Sequence, residues 1–418
     1  MTKKIKFQRK NSKGIVEQET EITPDMSRIA MIQMLIPLGL QAIEDLLQEE
    51  VLQLAGERYS RGDNPYQRWG ENPGSAFLGD QKVSVQIPRV RDTQKKKEVP
   101  LRSYQELQSP KHIDDMVMKR VINGLSTRKY ELAAMSVPET FGIKKSSVSK
   151  KFIKVSSKKL KELLERDLSG EDIIAIFMDG KMFAEMDMIT ALGITMDGRK
   201  IILGFVESGS ENHKICFEFI QNLIDRGLST KNEILFVVDG SKGLWKGIKK
   251  ALKEKAVVQR CQWHKRENVV SYLPKKDQAR FRKKLQKAYE KTSYKLAKEE
   301  LVKIEKELRL LNESAVNSLL EGLEETLTLH RLGIFTELGR SFKTTNCLES
   351  INRQIGIYTD RVSTWKNSNQ RQRWMAIALL EIEPRLRIVM GHKHLWKLRE
   401  NMKQKAEGSE KIVAENAA

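Results

Sequence analysis

Two aspartates are the residues of this chain whose types and spacing best suit chemistry. Asp179 follows the apolar run 173–178, Asp239 follows the apolar run 234–238, and a glycine comes next in both cases. Continuous apolar runs are typical of strands buried on both faces, and adjacent strands would bring the two carboxylates together. Phosphodiester chemistry uses carboxylates that hold two Mg²⁺ ions ~3.5–4 Å apart. Because two close like charges repel unless a cation separates them, the pair predicts a divalent-cation site.

Each aspartate also has a purely structural alternative. An Asp-Gly pair can simply end a strand with a turn, as we expect for Asp197-Gly198 between two predicted strands. Three other carboxylates near the same strands are alternative candidates for the site: Glu185, Asp187 and Glu207.

A third carboxylate, Glu349, lies on a predicted helix that begins at Thr345 and Asn346. Apolar residues recur on one side of this helix, and they are Leu348, Ile351, Ile355 and Tyr358. The opposite stripe is polar, and it consists of Glu349, Asn352, Arg353 and Gly356. Two interpretations stay open, because Glu349 can join the aspartates or close a capping box of the form Asn346-x-x-Glu349.

A Cys-x-x-His pair, Cys261 and His264, follows the short apolar run 256–258. It is half of a zinc site, and because no second pair stands at ligand spacing we expect no zinc. His264 is instead a candidate to orient a phosphate or a neighbouring side chain, and Trp263 is a candidate to stack on an unpaired base. The alternative is a histidine and tryptophan buried in the core.

The surrounding pattern predicts a mixed α/β sheet. Residues 188–195 and 200–206 form a predicted hairpin, and helices are predicted over 212–226 and 242–254, alternating with strands. Residues 265–340 keep helical spacing without strand signals, which predicts an all-helical insertion.

The chain carries a net charge of +20, from 75 Lys and Arg against 55 Asp and Glu in 418 residues. This excess predicts nucleic acid as the partner before an anionic membrane. The apolar segment 30–40 is far shorter than the ~20 residues of a membrane span. Three scattered cysteines and no apolar signal region favour a reducing, cytoplasmic location.

The residues before the predicted sheet favour DNA binding. Predicted helices over 113–123 and 127–135, and from 146 to about 166, resemble a helix-turn-helix, with three packed helices as the alternative. Candidate DNA contacts are the basic residues Arg89, Arg91, Arg128 and Lys150.

These patterns divide the chain into predicted segments. The first 25 residues are polar and Lys-rich and predict a loose arm. The segments are an N-terminal helical and β DNA-binding region (1–105), a helix-turn-helix-like DNA-binding domain (106–170), the first part of a catalytic core (171–264), the helical insertion (265–340), the completion of the core with C-terminal helices (341–400) and a disordered tail (401–418).

Four motifs in this order resemble the Mutator-like family of bacterial insertion-sequence transposases. The motifs are Phe177-Met178-Asp179-Gly180, the run 238–244 (VDGSKGL), the run 259–264 (QRCQWH) and the run 344–353 (TTNCLESINR). Asp239 follows Asp179 by 60 residues and precedes Glu349 by 110. The resemblance extends from Tyr66 to about Trp396.

The resemblance implies an RNase-H-like fold, split by an all-helical insertion and preceded by small, mostly helical DNA-binding domains. Asp179, Asp239 and Glu349 would be its DDE triad, with Asp179 bridging two Mg²⁺ ions, for which Mn²⁺ substitutes. Arg353 would hold the scissile phosphate, and Asn346, Cys261, Trp263 and His264 would contact DNA or support the triad.

The implied activity is cleavage at the terminal inverted repeats of an element, then joining of the 3′-OH to target DNA. We expect a homodimer on double-stranded DNA at the bacterial nucleoid, with no membrane and no ATP, since no Walker-type loop occurs. The alternatives are an RNase-H-like nuclease without strand transfer and a non-catalytic end-binding protein.

Overall fold

The computed structural model of this chain describes residues 3–11, 14–22, 24–59, 64–78, 81–108, 113–125, 140–141, 145–209 and 212–404. The chain divides into two compact units, residues 1–155 and 156–418. The predicted segment boundaries stay predictions. Within the described ranges, no helix combines the length and the apolar character needed to cross a membrane.

The first unit begins with a hairpin of two antiparallel strands, β1 (Lys3–Asn11) and β2 (Gly14–Ile22). The prediction of a loose arm over the first 25 residues is therefore wrong. The strand register places Lys4 opposite Glu21 and Lys6 opposite Glu19. Pairing of two strands in register is a property that composition alone does not predict.

A helix and an antiparallel sheet form the core of the first unit. Helix α1 (Pro24–Ala55) is followed by β3 (Tyr66–Leu78), β4 (Gln81–Asp92) and β5 (Lys97–Val99), which pair in that order. The short strand β6 (Thr140–Phe141) also pairs with β4. The buried side chains of this core include Leu47, Val51, Val83, Val85 and Val90. The helical and β character predicted for this N-terminal region is thus present in the structure.

Three further helices are described before the sheet of the second unit: α2 (Arg102–Gln108), α3 (Ile113–Ile122) and α4 (Lys145–Leu164), of which α4 begins in the first unit and ends in the second. Helices α3 and α4 match two of the three helices predicted for a helix-turn-helix. The predicted helix over 127–135 lies outside the described residues, so that motif stays a prediction. Asp114 of α3 accepts hydrogen bonds from Lys151 at 2.6 Å and Lys154 at 2.9 Å of α4.

The second unit is built on a five-stranded mixed sheet. Its strands are β7 (Ile173–Phe183), β8 (Met186–Thr195), β9 (Lys200–Ser208), β10 (Ile234–Val238) and β11 (Ala256–Arg260). The order across the sheet is β11-β10-β7-β8-β9. Strands β7, β10 and β11 are parallel, while β8 is antiparallel to both of its neighbours. The predicted mixed α/β sheet is confirmed.

The two faces of this sheet pack against different helices. Helices α5 (His213–Asp225) and α6 (Lys242–Leu252) cover one face, where Ile176 and Met178 of β7 join a common buried cluster. On the opposite face Phe177 stacks on Phe342, with ring centroids 5.5 Å apart. Successive side chains of a strand alternate between faces, so the odd-numbered residues of this part of β7 lie on the Phe342 face.

Strand β7 does not end at Asp179 as the Asp-Gly pattern predicted. The strand continues to Phe183 because β8 pairs with it along the whole extension, from Asp179 opposite Thr190 to Phe183 opposite Met186. The interpretation of Asp179-Gly180 as a strand-ending turn is therefore wrong. The parallel strands β10 and β11 do stop at this level, since Val238 pairs with Met178 and Arg260 pairs with Val238.

Helices fill the chain after β11, as predicted for residues 265–340. They are α7 (Gln262–Ser271), α8 (Lys275–Tyr289), α9 (Tyr294–Arg309), α10 (Glu313–Leu320), α11 (Leu323–Thr326), α12 (Thr328–Arg331) and α13 (Phe335–Phe342). The first of them begins directly after the sheet. Helices α14 (Asn346–Thr359), α15 (Ser368–Ile382) and α16 (395–404) follow.

Candidate active site

The sheet register brings Asp179 and Asp239 level with each other. Val238 pairs with Met178 in the parallel ladder between β10 and β7, so the next residue on each chain is an aspartate. Ile234, Phe236 and Val238 point into the α5–α6 cluster. Asp239 therefore follows on the opposite face, which is also the face of Asp179. Asp179 is buried, at 7% exposure, and Asp239 is half-buried.

Local hydrogen bonds fix the loop that carries Asp239. One carboxylate oxygen, Oδ1, accepts from the backbone N–H of Ser241 at 3.0 Å. The Ser241 hydroxyl in turn accepts from the N–H of Leu244 at 3.3 Å and caps helix α6. Gly240 lies between Asp239 and Ser241 and has a φ of +110°. A Cβ atom at this position would stand 2.5 Å from the Arg260 guanidinium. The loop therefore requires glycine here, and it holds the aspartate at the end of the strand.

Glu349 lies in the first turn of α14, which begins at Asn346 with Thr345 as its N-cap residue. A capping box would need Asn346 as the N-cap with Glu349 three residues on, so that alternative is wrong. Glu349 Oε1 is buried and has no hydrogen-bond partner within the part of the chain that is described. It lies 3.9 Å from Nε2 of His264.

Helix α14 packs on the sheet face that carries the two aspartates. Lys181 lies two residues beyond Asp179 and so on the same face of β7, and its Nζ donates to the backbone carbonyl of Asn352 at 2.8 Å. Thr345, at the start of α14, is fully buried. The turn of α14 from Glu349 to Asn352 therefore covers the part of β7 that holds Asp179.

The Cys-x-x-His pair joins the sheet to the start of α14. The N–H of Cys261 donates to Val238 O at 2.7 Å, and the Thr345 hydroxyl lies 3.8 Å from Cys261 Sγ and 3.5 Å from His264 Nδ1. A hydrogen bond with Cys261 raises the pKa of His264 to about 9, and the charges of Asp179 and Asp239 add to this against the effect of burial. The motif thus fixes α14 relative to the aspartates.

Trp263 and the polar residues of α14 differ in their exposure. Trp263 is 41% exposed and touches the His264 ring edge-on at 4.9 Å, so the alternative of a tryptophan buried in the core is wrong. Asn346 and Arg353 are exposed. Asn352 is buried at 8% exposure, and we did not single it out from the sequence, although it falls one turn after Glu349 on the polar stripe.

The helical segment is anchored to β11 by buried polar side chains. The amide nitrogen of Gln259 donates to Thr326 O at 2.9 Å, and the Thr328 hydroxyl donates to Val258 O at 2.7 Å. Arg260 donates to Gly240 O at 2.7 Å and to Glu321 O at 3.0 Å. Arg260 therefore ties the Asp239 loop to the helical segment.

Of the candidate DNA contacts in the first unit, two arginines have partners within the chain. Arg89 donates to both carboxylate oxygens of Glu98 at 2.9 Å, which raises the pKa of the Arg89 guanidinium. The Arg91 guanidinium lies over the Trp69 ring, 4.5 Å from its centroid. Lys150 is exposed on α4. Arg128 lies outside the described residues.

The donor chemistry fits a divalent cation of the Mg²⁺ type, which prefers carboxylate oxygens. In the described ranges, no three His, Cys, Asp or Glu side chains already stand close enough to hold one ion. Yet Glu349 Oε1 is a buried acceptor left without a hydrogen bond by its described neighbours. A buried carboxylate oxygen without a hydrogen bond is costly, and a cation closer than His264, which lies 3.9 Å away, would satisfy it.

These features define a mixed α/β protein with a carboxylate-lined face that a later helix completes. The family model described as "Transposase, Mutator family" matches residues 16–384. The chain belongs to the Mutator family of transposases, which confirms the resemblance drawn from the four motifs.

Curated relatives point to the same family. The chain is 26% identical over 323 residues to the transposase for insertion sequence element IS256 in transposon Tn4001 of Staphylococcus aureus, covering 72% of this chain and 77% of the relative. It is 25% identical over 351 residues to the transposase for insertion sequence element IS905 of Lactococcus lactis subsp. lactis, covering 80% and 85%. For the ISRM5 transposase of Rhizobium meliloti the identity is 25% over 348 residues.

Proposed function

We propose that this chain is a metal-dependent DNA transposase that cuts at the ends of its element and joins them to target DNA. The observation that carries the proposal is the level position of Asp179 and Asp239 on one sheet face, with the Glu349 turn of α14 packed over Asp179. Family membership and relatives named as insertion-sequence transposases support it.

The second unit has, in this proposal, an RNase-H-like fold. Support comes from the strand order β9-β8-β7-β10-β11 with β8 antiparallel, together with carboxylates on the two central parallel strands. The helical segment α7–α13 is then an insertion between the second and third carboxylates, and Arg260 and Gln259 fasten it to the edge strand.

Asp179, Asp239 and Glu349 are the residues that would hold Mg²⁺, with Mn²⁺ as a substitute. When bound, the cations supply charge neutralisation at the scissile phosphate and activation of the attacking oxygen. These three side chains are not gathered around one point, so they would have to move closer together to hold a shared cation. Asp179, the most buried of the three, would be the shared ligand.

The remaining residues of the site orient these carboxylates and the DNA. His264 and Thr345 hold the start of α14, and exposed Arg353 provides a guanidinium for the scissile phosphate. Water attacks the phosphodiester first and releases a 3′-OH, and that hydroxyl then attacks a target phosphodiester. Each step forms one P–O bond and breaks another, so no ATP is consumed.

DNA recognition in this proposal belongs to the basic N-terminal region, which would bind the terminal inverted repeats. The net charge of +20 supports electrostatic binding to phosphates. Two element ends must be held together for joining, so we propose a homodimer on DNA.

The proposal is tested with purified full-length protein, Mg²⁺ and a labelled DNA fragment that carries one element end. The expected products are a nick with a free 3′-OH, followed by a joined species. Cleavage without joining would favour a nuclease instead. Binding without cleavage would favour a non-catalytic end-binding protein, and either result would overturn the transposase proposal.

A further inference from the structure

Asn352 is a buried polar residue that the proposed triad does not use. Its side chain is only 8% exposed, and its amide oxygen Oδ1 is buried without a hydrogen-bond partner in the described part of the chain. Nearly all buried acceptors in folded proteins are paired, because an unpaired acceptor loses its hydrogen bonds to water without gaining a hydrogen bond within the protein. An unpaired buried oxygen beside a candidate active site therefore calls for a ligand.

The position of Asn352 on α14 directs it to the same sheet face as the aspartates. It lies three residues after Glu349, so both side chains share one face of the helix. Its own backbone carbonyl accepts from Lys181 Nζ, and Lys181 shares the face of β7 with Asp179. Phe177 contacts Phe342 on that face as well. Asn352 is thus packed over the strand that presents Asp179.

A second unpaired oxygen lies on the other side of Asp179. Thr190 is directly opposite Asp179 in the β7–β8 ladder, is 1% exposed, and has a hydroxyl with no partner among the described residues. Buried oxygens without hydrogen bonds in the described part of the chain therefore occur on both elements next to this part of β7, with Glu349 Oε1 and Asn352 Oδ1 on α14 and Thr190 Oγ1 on β8. The carboxylate oxygen of Glu349 and the amide oxygen of Asn352 can only accept, which suits a cation, and the Thr190 hydroxyl can accept as well as donate.

We propose that Asn352 is a further ligand of the divalent cation, through its side-chain amide oxygen and next to Glu349. This inference rests on the proposed function, since it concerns the same cation. Neutral amide oxygens are ordinary ligands of hard cations. An amide adds a ligand without adding a fourth negative charge to a site where carboxylates already repel one another. A phosphate oxygen would instead need a donor, and the unpaired atom is an acceptor.

The test measures Mn²⁺ binding to the full-length protein without DNA, by electron paramagnetic resonance titration. Asn352→Leu keeps the volume and removes the oxygen, and we expect Mn²⁺ affinity to fall by about 10-fold or more. Asn352→Asp keeps an oxygen at the same place and is expected to bind Mn²⁺ at least as tightly as the wild type. Gln354→Leu removes an amide from the same helix and should leave the affinity unchanged.

Thermal unfolding separates ligation from a structural role. With EDTA, Asn352→Leu should unfold at or above the wild-type temperature, because it removes a buried unpaired acceptor. With Mn²⁺, it should gain less stabilisation than the wild type. Wild-type Mn²⁺ affinity in Asn352→Leu overturns the inference. If Asn352→Leu does not fold, Asn352→Asp decides, and weaker binding than the wild type overturns it.

The Glu349→Gln variant distinguishes failure of this inference from failure of the proposed function. Loss of Mn²⁺ binding in Glu349→Gln with full binding in Asn352→Leu overturns the role of Asn352 alone. Unchanged Mn²⁺ binding in Glu349→Gln overturns the proposed metal site, and the role of Asn352 with it.

Discussion

His264 lies between the helix start and the side chain of Glu349: its Nε2 is 3.9 Å from Glu349 Oε1 and its Nδ1 is 3.5 Å from Thr345 Oγ1. His264 follows β11 by only a few residues. Its contacts therefore fix the position of Glu349 relative to the sheet, although Glu349 lies far along the chain. The chain can therefore insert a long helical segment before α14 without losing the position of Glu349. The Cys-x-x-His motif thus has a positioning role in the structure, through the contacts of Cys261 and His264 with Thr345.

Replacing Glu349 with glutamine should abolish most cleavage without unfolding the protein. Glutamine is close in shape, but it lacks the charge that the proposed cation requires, so we expect a loss of about 10²-fold or more in cleavage rate. The loss is measured by single-turnover cleavage of a labelled element end. Glu185→Gln, on the β7–β8 turn, is the matched control and should cleave like the wild type. Equal activity of both variants would remove Glu349 from the site.

The level position of Asp179 and Asp239 could be predicted from sequence, whereas the end of β7 could not. Each aspartate follows an apolar run, and parallel strands present such ends at one edge of a sheet. The continuation of β7 depends on pairing with β8, which extends beyond the parallel neighbour β10. Local patterns do not reveal which partner a strand gains from elsewhere in the chain.

Gly322 should be essential for anchoring the helical segment. Its φ is +63°, and a Cβ atom there would stand 2.0 Å from an Arg260 guanidinium nitrogen. Gly322→Ala should therefore push Arg260 away from Glu321 O and Gly240 O, and so loosen the Asp239 loop. We expect a fall of about 2–4 kcal/mol in the free energy of unfolding, from backbone strain and overpacking together. Urea denaturation measures the fall, and the cleavage rate should drop as well.

Gly333 is a control that isolates the backbone part of this effect. Its φ of +67° is similar, but a Cβ atom there meets nothing within 4 Å. Gly333→Ala should thus cost only about 1–2 kcal/mol and leave cleavage unchanged. If both variants lose the same stability and activity, contact with Arg260 is not what Gly322 provides.

The burial of a charged side chain in the helical segment could not be predicted from the sequence. The run Gln262–Ser271 contains several charged residues that a composition-based reading assigns to solvent, yet Lys265 is only 3% exposed. Its Nζ donates to the carbonyls of Ser318 and Glu321. Burial of this lysine depends on contacts across more than fifty residues of chain, so neither periodicity nor charge pattern predicts it. The unpaired oxygens of Thr190 and Asn352 are hidden for the same reason.

Lys265 should make stability depend on pH above neutrality. Burial, followed by repulsion from Arg260, lowers the pKa of Lys265 to about 8. Between pH 8 and the ordinary lysine pKa, the unfolded chain binds the proton that the folded chain has released. Stability from this group therefore rises with pH in that window. The wild type should gain about 2 kcal/mol relative to Lys265→Met between pH 7.5 and pH 10.

Urea denaturation at the two pH values checks this gain. Lys249→Met is the matched control, because Lys249 Nζ also donates to a backbone carbonyl, Ala256 O at 2.9 Å, from a less buried position. Its difference from the wild type measures the loss of a lysine-to-carbonyl hydrogen bond from the less buried position. A constant difference between the wild type and Lys265→Met would show that Lys265 keeps its proton throughout.

Lys150 and Arg89 should contribute unequally to DNA binding, although the sequence ranks them alike. Lys150 is exposed on α4, whereas Arg89 donates two hydrogen bonds to the Glu98 carboxylate. A phosphate must compete with that carboxylate for Arg89. Lys150→Ala should therefore reduce the slope of log affinity against log salt by about 0.9, the value for one phosphate contact, and Arg89→Ala by less.

Fluorescence anisotropy with an element-end duplex, over a series of salt concentrations, measures these slopes. Glu98→Gln adds a second expectation, because loss of the carboxylate leaves Arg89 available to phosphate. The slope should then become steeper than in the wild type, and a further Arg89→Ala change should cancel the gain. Equal slopes for Lys150→Ala and Arg89→Ala, with no effect of Glu98→Gln, would mean that the Arg89–Glu98 pair opens freely on DNA. The charge of Arg89 would then act on DNA as if Glu98 were absent.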